Sequence, residues 1–199
     1  MLLCLLVLTG CAPSQKNADA ATAFRAALLE SGGCTFVCRV TADFGETVQI
    51  FALDCAYDTA RGAVDFTVLE PQSLAGITAT VTDEGAAVTY DGMAMELGLL
   101  AGESVMPAAA PALAAVCWTD APITAVGAEN DRTRVTYERT LCGRRLTVDT
   151  WLENGLPISA QVCYNQQCIL KLEFSEFQRN GRKEHNGLSE TNMGGDFAR

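Results

Sequence analysis

The sequence predicts an α+β protein with one antiparallel sheet, an N-terminal helix and a short central helix. Between Cys34 and Phe177, apolar residues recur mainly at every second position, which is the period of a strand with one buried face. Two segments depart from this period, one before Cys34 and one at residues 99–118. The 199 residues, of which 49% are hydrophobic, suit a single domain with a sizeable core.

The segment before the first strand predicts a helix over residues 20–30. Phe24 and Leu28 share one stripe at helical spacing, and Asp19 is a suitable N-cap. The Ser31-Gly32-Gly33 sequence that follows would end the helix.

Six strands are predicted next, separated by turn residues such as Asp91-Gly92. Their ranges are 34–44, 47–56, 63–69, 77–82, 88–90 and 93–97. The alternation of these strands gives an apolar face that includes Val64, Phe66, Val68, Ile77, Val81, Met93 and Met95.

The Ala-rich segment at residues 99–118 contains Pro107 and Pro111. Proline suits the first turn of a helix and costs roughly 3 kcal/mol in its interior. A helix is therefore predicted only over residues 111–118, followed by a loop at residues 119–130.

The last block predicts a four-stranded meander at residues 132–139, 144–152, 157–164 and 168–177. The apolar faces match if Leu146, Val148, Thr150 and Leu152 lie opposite Tyr164, Val162, Ala160 and Ile158. This register requires a three-residue loop centred on Gly155. The same argument places Ile158, Ala160 and Val162 opposite Phe174, Leu172 and Leu170, with an odd-numbered loop after Tyr164.

The register bears on the cysteines, of which the chain has nine. The first and third turns of the meander share one end of the sheet, so Cys142, Cys163 and Cys168 would cluster there. A direct Cys163–Cys168 pairing would need an even-numbered loop and would misalign the apolar faces. We therefore expect a disulfide from Cys142 to one of the other two.

The first eleven residues, M-L-L-C-L-L-V-L-T-G-C, resemble the lipobox of bacterial lipoprotein signal peptides. The apolar run is shorter than the roughly 20 residues that a membrane-spanning helix needs. The resemblance implies cleavage after residue 10, a diacylglycerol on Cys11 and a membrane anchor outside the cytoplasm. Residues 11–19 would form a short polar tether, and the polar residues 178–199 a disordered tail.

The chemistry of the chain predicts no enzyme, no metal and no cofactor. The single histidine, His185, lies in the predicted tail, where it could not serve as a positioned base. No phosphate-binding glycine motif is present, and the cysteine spacings are not those of a zinc site. The net charge of −10 argues against nucleic acid as a partner.

The order of lipobox, tether, helix, antiparallel strands, Ala/Pro interruption and four-stranded meander resembles that of LolA-like lipoproteins of the LolA, LolB and LppX type. The stretches P-Q-S-L-A-G-I-T-A-T-V at residues 71–81 and N-G-L-P-I at residues 154–158 resemble the GerS-like kind from Gram-positive, spore-forming bacteria. The resemblance covers residues 20–177. It implies a curved sheet, an incomplete β-barrel, that wraps around helices and encloses an apolar cavity.

Two functions follow as hypotheses. In the first, the protein binds a lipid or another lipophilic ligand in a cavity lined by the apolar face that contains Met93 and Met95; side-chain packing in an ordinary core is the alternative for these residues. In the second, it is a non-catalytic module that binds or activates a cell-envelope enzyme, as GerS-like proteins do with a cell-wall amidase.

Overall fold

The computed structural model describes residues 15–43, 48–82, 85–90, 93–97, 100–101, 104–141 and 143–181. The helices are α1 (Gln15–Ser31) and α2 (Ala110–Thr119), and a 3₁₀ turn at Pro107–Ala109 precedes α2. The first eight strands are β1 (Gly33–Asp43), β2 (Val48–Asp58), β3 (Ala63–Glu70), β4 (Thr78–Val81), β5 (Ala86–Tyr90), β6 (Met93–Leu97), β7 (Leu100–Ala101) and β8 (Ser104–Val105). The last five are β9 (Ile123–Glu129), β10 (Arg132–Leu141), β11 (Arg144–Glu153), β12 (Leu156–Tyr164) and β13 (Gln167–Arg179).

Eleven of these strands form one antiparallel sheet in the order β6-β5-β4-β3-β2-β1-β13-β12-β11-β10-β9, while β7 and β8 pair with each other. Pairing of β1 with β13 joins the two halves of the chain. The sheet is not closed into a barrel, because β6 and β9 are its two edges. The predicted fold class is confirmed.

The sheet curves around α2. This helix contacts β3 on one side and β10 on the other, although five strands lie between those two in the sheet. Register shifts within the pairs β1–β13, β2–β3, β11–β12 and β12–β13 provide bulges, which bend a sheet. The face toward α2 is called the concave face below, and the opposite one the convex face.

α1 begins five residues before the predicted start, so Asp19 is not its N-cap. The Gln15 side-chain amide donates a hydrogen bond of 3.0 Å to Asp19 one turn later, a contact that supports a helix. Residues 15–19 of the predicted tether are therefore helical. Ala21, Phe24 and Leu28 form the buried stripe of α1, as the spacing predicted.

α2 is longer than predicted by one residue at each end, and every residue from Ala110 to Trp118 is buried. A helix that is apolar on all sides lies inside a core. The Trp118 ring is the centre of an aromatic cluster, with edge-to-face contacts to Phe24, Phe36 and Phe174. This cluster links α1, α2, β1 and β13.

The predicted loop at residues 119–130 is wrong, since Ile123–Glu129 forms the edge strand β9. Its residues are half-buried or exposed without strict alternation, so the sequence has no strand period there. Backbone pairing with β10 forms the strand instead.

The register of the last strands follows the apolar faces, and most predicted pairs are confirmed. Leu146 lies opposite Tyr164, Val148 opposite Val162, and Thr150 opposite Ala160. Leu172 and Leu170 lie opposite Ala160 and Val162. The predicted odd-numbered loops are wrong, because the extra residues are bulges in the strands: Leu152 pairs with Pro157, not Ile158, and Cys163 lies directly opposite Cys168.

Several predicted features lie outside the described residues. They are the signal segment 1–10, Cys11, Cys142, His185 and residues 182–199 of the predicted tail. Residues 178 and 179 of that tail belong to β13.

Candidate functional site

The concave face of the sheet is apolar from β2 to the edge strand β6. One row of paired positions runs across it through Cys55, Phe66, Ala79, Val88 and Met95. The first three of these side chains are buried, and Val88 is partly buried against the core. The row therefore continues the core to the edge of the sheet.

Beyond the core, this face is open to solvent at its β6 end. Met93 is 70% exposed and Met95 62% exposed, whereas Ile77 and Val88 pack partly against the core. We call Ile77, Val88, Met93 and Met95 the open strip. Its exposed methionines are flexible, polarizable side chains that suit an adaptable apolar surface.

A crevice lies under α2, next to the other end of β4. It has a volume of about 20 Å³ and is lined mainly by apolar side chains: Val81, Val105, Ala109, Ala112, Leu113, Val116 and Leu141, with Thr82 and Arg139 at its border. A cavity of this volume holds about one water molecule. In this arrangement α2 fills the space that the sheet encloses.

The structure divides the predicted cavity-lining residues into three groups. Val64, Phe66 and Val68 are buried in the core, and Val81 lines the crevice. Ile77, Met93 and Met95 belong to the open strip. The predicted residues therefore share one face but do not surround one cavity.

The residues of α2 and Val105 that line the crevice were not among the predicted site residues. The relevant signal was the Ala-rich segment with its two prolines, which breaks the strand period. Small side chains let a helix approach a sheet closely, but their pattern does not indicate which face the helix covers.

A polar residue of α1 holds the C-terminal end of α2. The Arg25 guanidinium donates hydrogen bonds to the carbonyl oxygens of Cys117, Trp118 and Ala121, at 3.2, 2.8 and 2.5 Å. It also lies 5.6 Å from the centre of the Tyr137 ring, a distance that allows a cation–π interaction. A cation is favourable at this end of a helix because of the helix dipole.

Buried polar groups lie on α2 and on the strands that face it. The Trp118 indole donates a hydrogen bond of 3.1 Å to the Thr150 hydroxyl, whose residue is fully buried. The Tyr137 hydroxyl is also buried, and within the described part of the chain it is the one buried side-chain oxygen or nitrogen without a hydrogen-bond partner. Burial raises the pKa of Tyr137, so this hydroxyl stays neutral.

A wider depression of about 480 Å³ lies on the convex face of β2 to β5. Its lining is mostly polar and includes Asp54, Asp65, Thr67, Thr78 and Thr80. Such a surface does not suit a lipophilic ligand, which needs apolar walls. The open strip and the crevice are therefore the candidate site.

The six described cysteines are free thiols. Burial raises the pKa of Cys34 and Cys117 to about 12, and it also raises the pKa values of Cys38 and Cys55. These four thiols are neutral members of the core. Among the described residues, no group of three or more His, Cys, Asp or Glu residues could hold a metal ion.

Within the described ranges, no helix combines the length and the apolar character needed to cross a bilayer.

No protein-family model and no curated protein matches the chain. Three similar solved structures are a LolA superfamily protein from Nitrosomonas europaea, a DUF1329 family protein from Desulfovibrio piger and the lipoprotein LppX from Mycobacterium tuberculosis. The identities are 10%, 10% and 13%, and the TM-scores are 0.43, 0.45 and 0.37. The matches cover 84%, 89% and 80% of this chain, and 93%, 95% and 95% of the others. These likenesses concern the fold alone.

Proposed function

We propose that this protein is a LolA-like, lipid-anchored lipoprotein that binds a lipophilic ligand on the concave face of its sheet, outside the cytoplasm, without catalysing a reaction. The observation that carries the proposal is the open strip. An apolar face that continues from the core and ends in methionines 70% and 62% exposed is available to an apolar molecule.

The ligand would cover Met93 and Met95 and extend along Val88 toward the crevice at Val81. Because the crevice has only about 20 Å³, an acyl chain can enter it only if α2 moves away from the sheet. The small side chains of α2 and the apolar surface on all its sides allow an apolar chain to replace its contacts. Contacts between the ligand and the sheet would then replace the burial of apolar surface that is lost when α2 moves away.

Binding is tested with the full chain, stripped of bound lipid in mild detergent and titrated with a fluorescent fatty acid. Met93→Gln with Met95→Gln places two polar amides where the chain would contact apolar side chains. Burial of an amide without a partner costs about 1–3 kcal/mol, so we expect binding to weaken roughly tenfold or more.

The matched control is Val48→Gln. Val48 is 59% exposed, but the alternation of β2 places it on the convex face. This variant should bind like the wild type. Equal binding by all three proteins, or no binding by the wild type, would contradict the proposal; mass spectrometry of gently extracted protein would identify the natural ligand.

The anchor rests on the lipobox resemblance of residues 1–11 and has its own test. Bacteria expressing the chain with its leader are grown with radiolabelled palmitate. Label should enter the wild type and a Cys4→Ala control but not Cys11→Ala, and only the unlabelled variant should leave the membrane fraction. Palmitate labelling of Cys11→Ala at the wild-type level would contradict a diacylglycerol on Cys11.

The GerS-like assignment and the interaction with an envelope enzyme stay predictions. No feature of the described residues favours such a protein partner over the lipophilic ligand.

A further inference from the structure

Cys163 and Cys168 face each other across the hairpin formed by β12 and β13. They are directly opposed in the register, one position beyond the pair Tyr164 and Gln167 that closes the turn. The turn residues Asn165 and Gln166 have φ values of 49° and 66°, as a two-residue type I′ hairpin turn requires. The turn thus fixes the two cysteines opposite each other.

The bulge in β13 removes the conflict between this pairing and the apolar faces. Between the pairs Val162–Leu170 and Cys163–Cys168, the extra residue is Ile169. It lets Leu170 stay in the core while Cys168 turns toward Cys163 on the convex face. The two strands therefore bury their apolar side chains and also place the two cysteines opposite each other.

The distance between the opposed positions suits a disulfide. Directly opposed residues of antiparallel strands have Cα atoms about 4.5–5.5 Å apart, within the roughly 4.4–6.8 Å of disulfides. Burial, with the nearby Cys168 thiol as a further cause, raises the pKa of Cys163 to about 11. Both side chains are partly exposed, so a small reagent can reach them.

None of the other described cysteines is both partly exposed and directly opposite another cysteine. Cys34, Cys38, Cys55 and Cys117 are buried, with exposed fractions of 0–1%. In the register, Cys55 lies opposite Phe36, while Leu53 and Tyr57 lie opposite Cys38 and Cys34, so no two of these three are directly paired.

We propose that Cys163 and Cys168 form a redox-active dithiol that closes to a disulfide by exchange with an external disulfide, RSSR. One thiolate attacks a sulfur of RSSR, forms a mixed disulfide and releases RS⁻. The other thiolate attacks the mixed sulfur of the protein, forms the Cys163–Cys168 bond and releases the second RS⁻. The two thiol protons pass to the two RS⁻ groups, so the protein loses two electrons and RSSR gains them.

The reaction is tested on the full chain, first reduced and then exposed to glutathione disulfide. Remaining thiols are blocked with N-ethylmaleimide, and the protein is digested with trypsin. Residues 146–171 form one tryptic peptide that contains Cys163 and Cys168 and no other cysteine, whereas Cys142 lies in the peptide 140–144. We expect the longer peptide to lose two hydrogen atoms and to take up no maleimide.

Two variants serve as controls. Cys142→Ser should leave the disulfide unchanged, whereas in Cys168→Ser the thiol of Cys163 should appear only with maleimide or glutathione attached. A link between the peptides 140–144 and 146–171 in the wild type would overturn the proposal in favour of a Cys142 disulfide. A longer peptide that keeps two maleimide or two glutathione groups would also overturn it. The thiols lie on the convex face, so none of these outcomes depends on ligand binding.

Discussion

Arg25 is the residue that best explains how α2 is held inside the sheet. Three carbonyl oxygens at the end of α2 and in the following turn accept hydrogen bonds from one guanidinium, and these carbonyls would otherwise lack partners in a partly buried place. A hydrogen bond to a charged group contributes about 1.5–3 kcal/mol to stability, more than one between neutral groups. One side chain of α1 therefore orients the helix that fills the concave face.

Arg25→Met tests this role, because methionine keeps the length of the side chain and removes all three hydrogen bonds. We expect the free energy of unfolding, measured by urea denaturation, to fall by at least about 3 kcal/mol. The control is Arg132→Met, which removes an exposed ion pair with Glu153 at 3.2 Å and should cost less than about 1 kcal/mol. Equal losses in the two variants would mean that Arg25 does not hold α2.

At the scale of the elements, a strand was predictable where one of its faces is buried. Val148, Val162 and Leu170 were assigned to the correct register, because a slip of one residue would expose a whole face. Whether the extra residue lies in the loop or in a strand was not predictable. A three-residue loop and a two-residue turn with a bulge preserve the same faces, and only the second places Cys163 opposite Cys168.

Elements without one apolar and one polar face were predicted poorly, and the same holds for the candidate site. β9 has no alternation and forms through pairing with β10, while α2 is buried on every side and has no amphipathic period to define its contacts. The alternation of residues along the strands correctly placed Met95 and Phe66 on the same face of the sheet. Whether such a residue is buried or exposed depends on where the helices lie over the sheet, which the strand pattern does not contain.

At the scale of the whole molecule, the core formed by the described residues contains four neutral thiols, those of Cys34, Cys38, Cys55 and Cys117. Burial raises the pKa of Cys34 and Cys117 to about 12 from an ordinary value of 9.0, and raises the others in the same direction. In the unfolded chain these thiols would ionise at a lower pH than in the folded one. The folded state therefore binds more protons than the unfolded state above pH 9.0, and its stability falls as pH rises.

We expect the free energy of unfolding to lose its contribution from these thiols between pH 9.0 and about 12, and to be unaffected by them below that range. Each thiol lowers it by up to about 1.4 kcal/mol per pH unit. Urea denaturation of the reduced protein at a series of pH values measures the slope. Cys117→Ala should reduce the slope by one thiol's share up to about pH 12, whereas Cys163→Ser should reduce it only up to about pH 11, because burial raises the pKa of Cys163 to about 11. If Cys117→Ala leaves the slope unchanged, this thiol already ionises in the folded protein and the helix that fills the sheet does not exclude water from it.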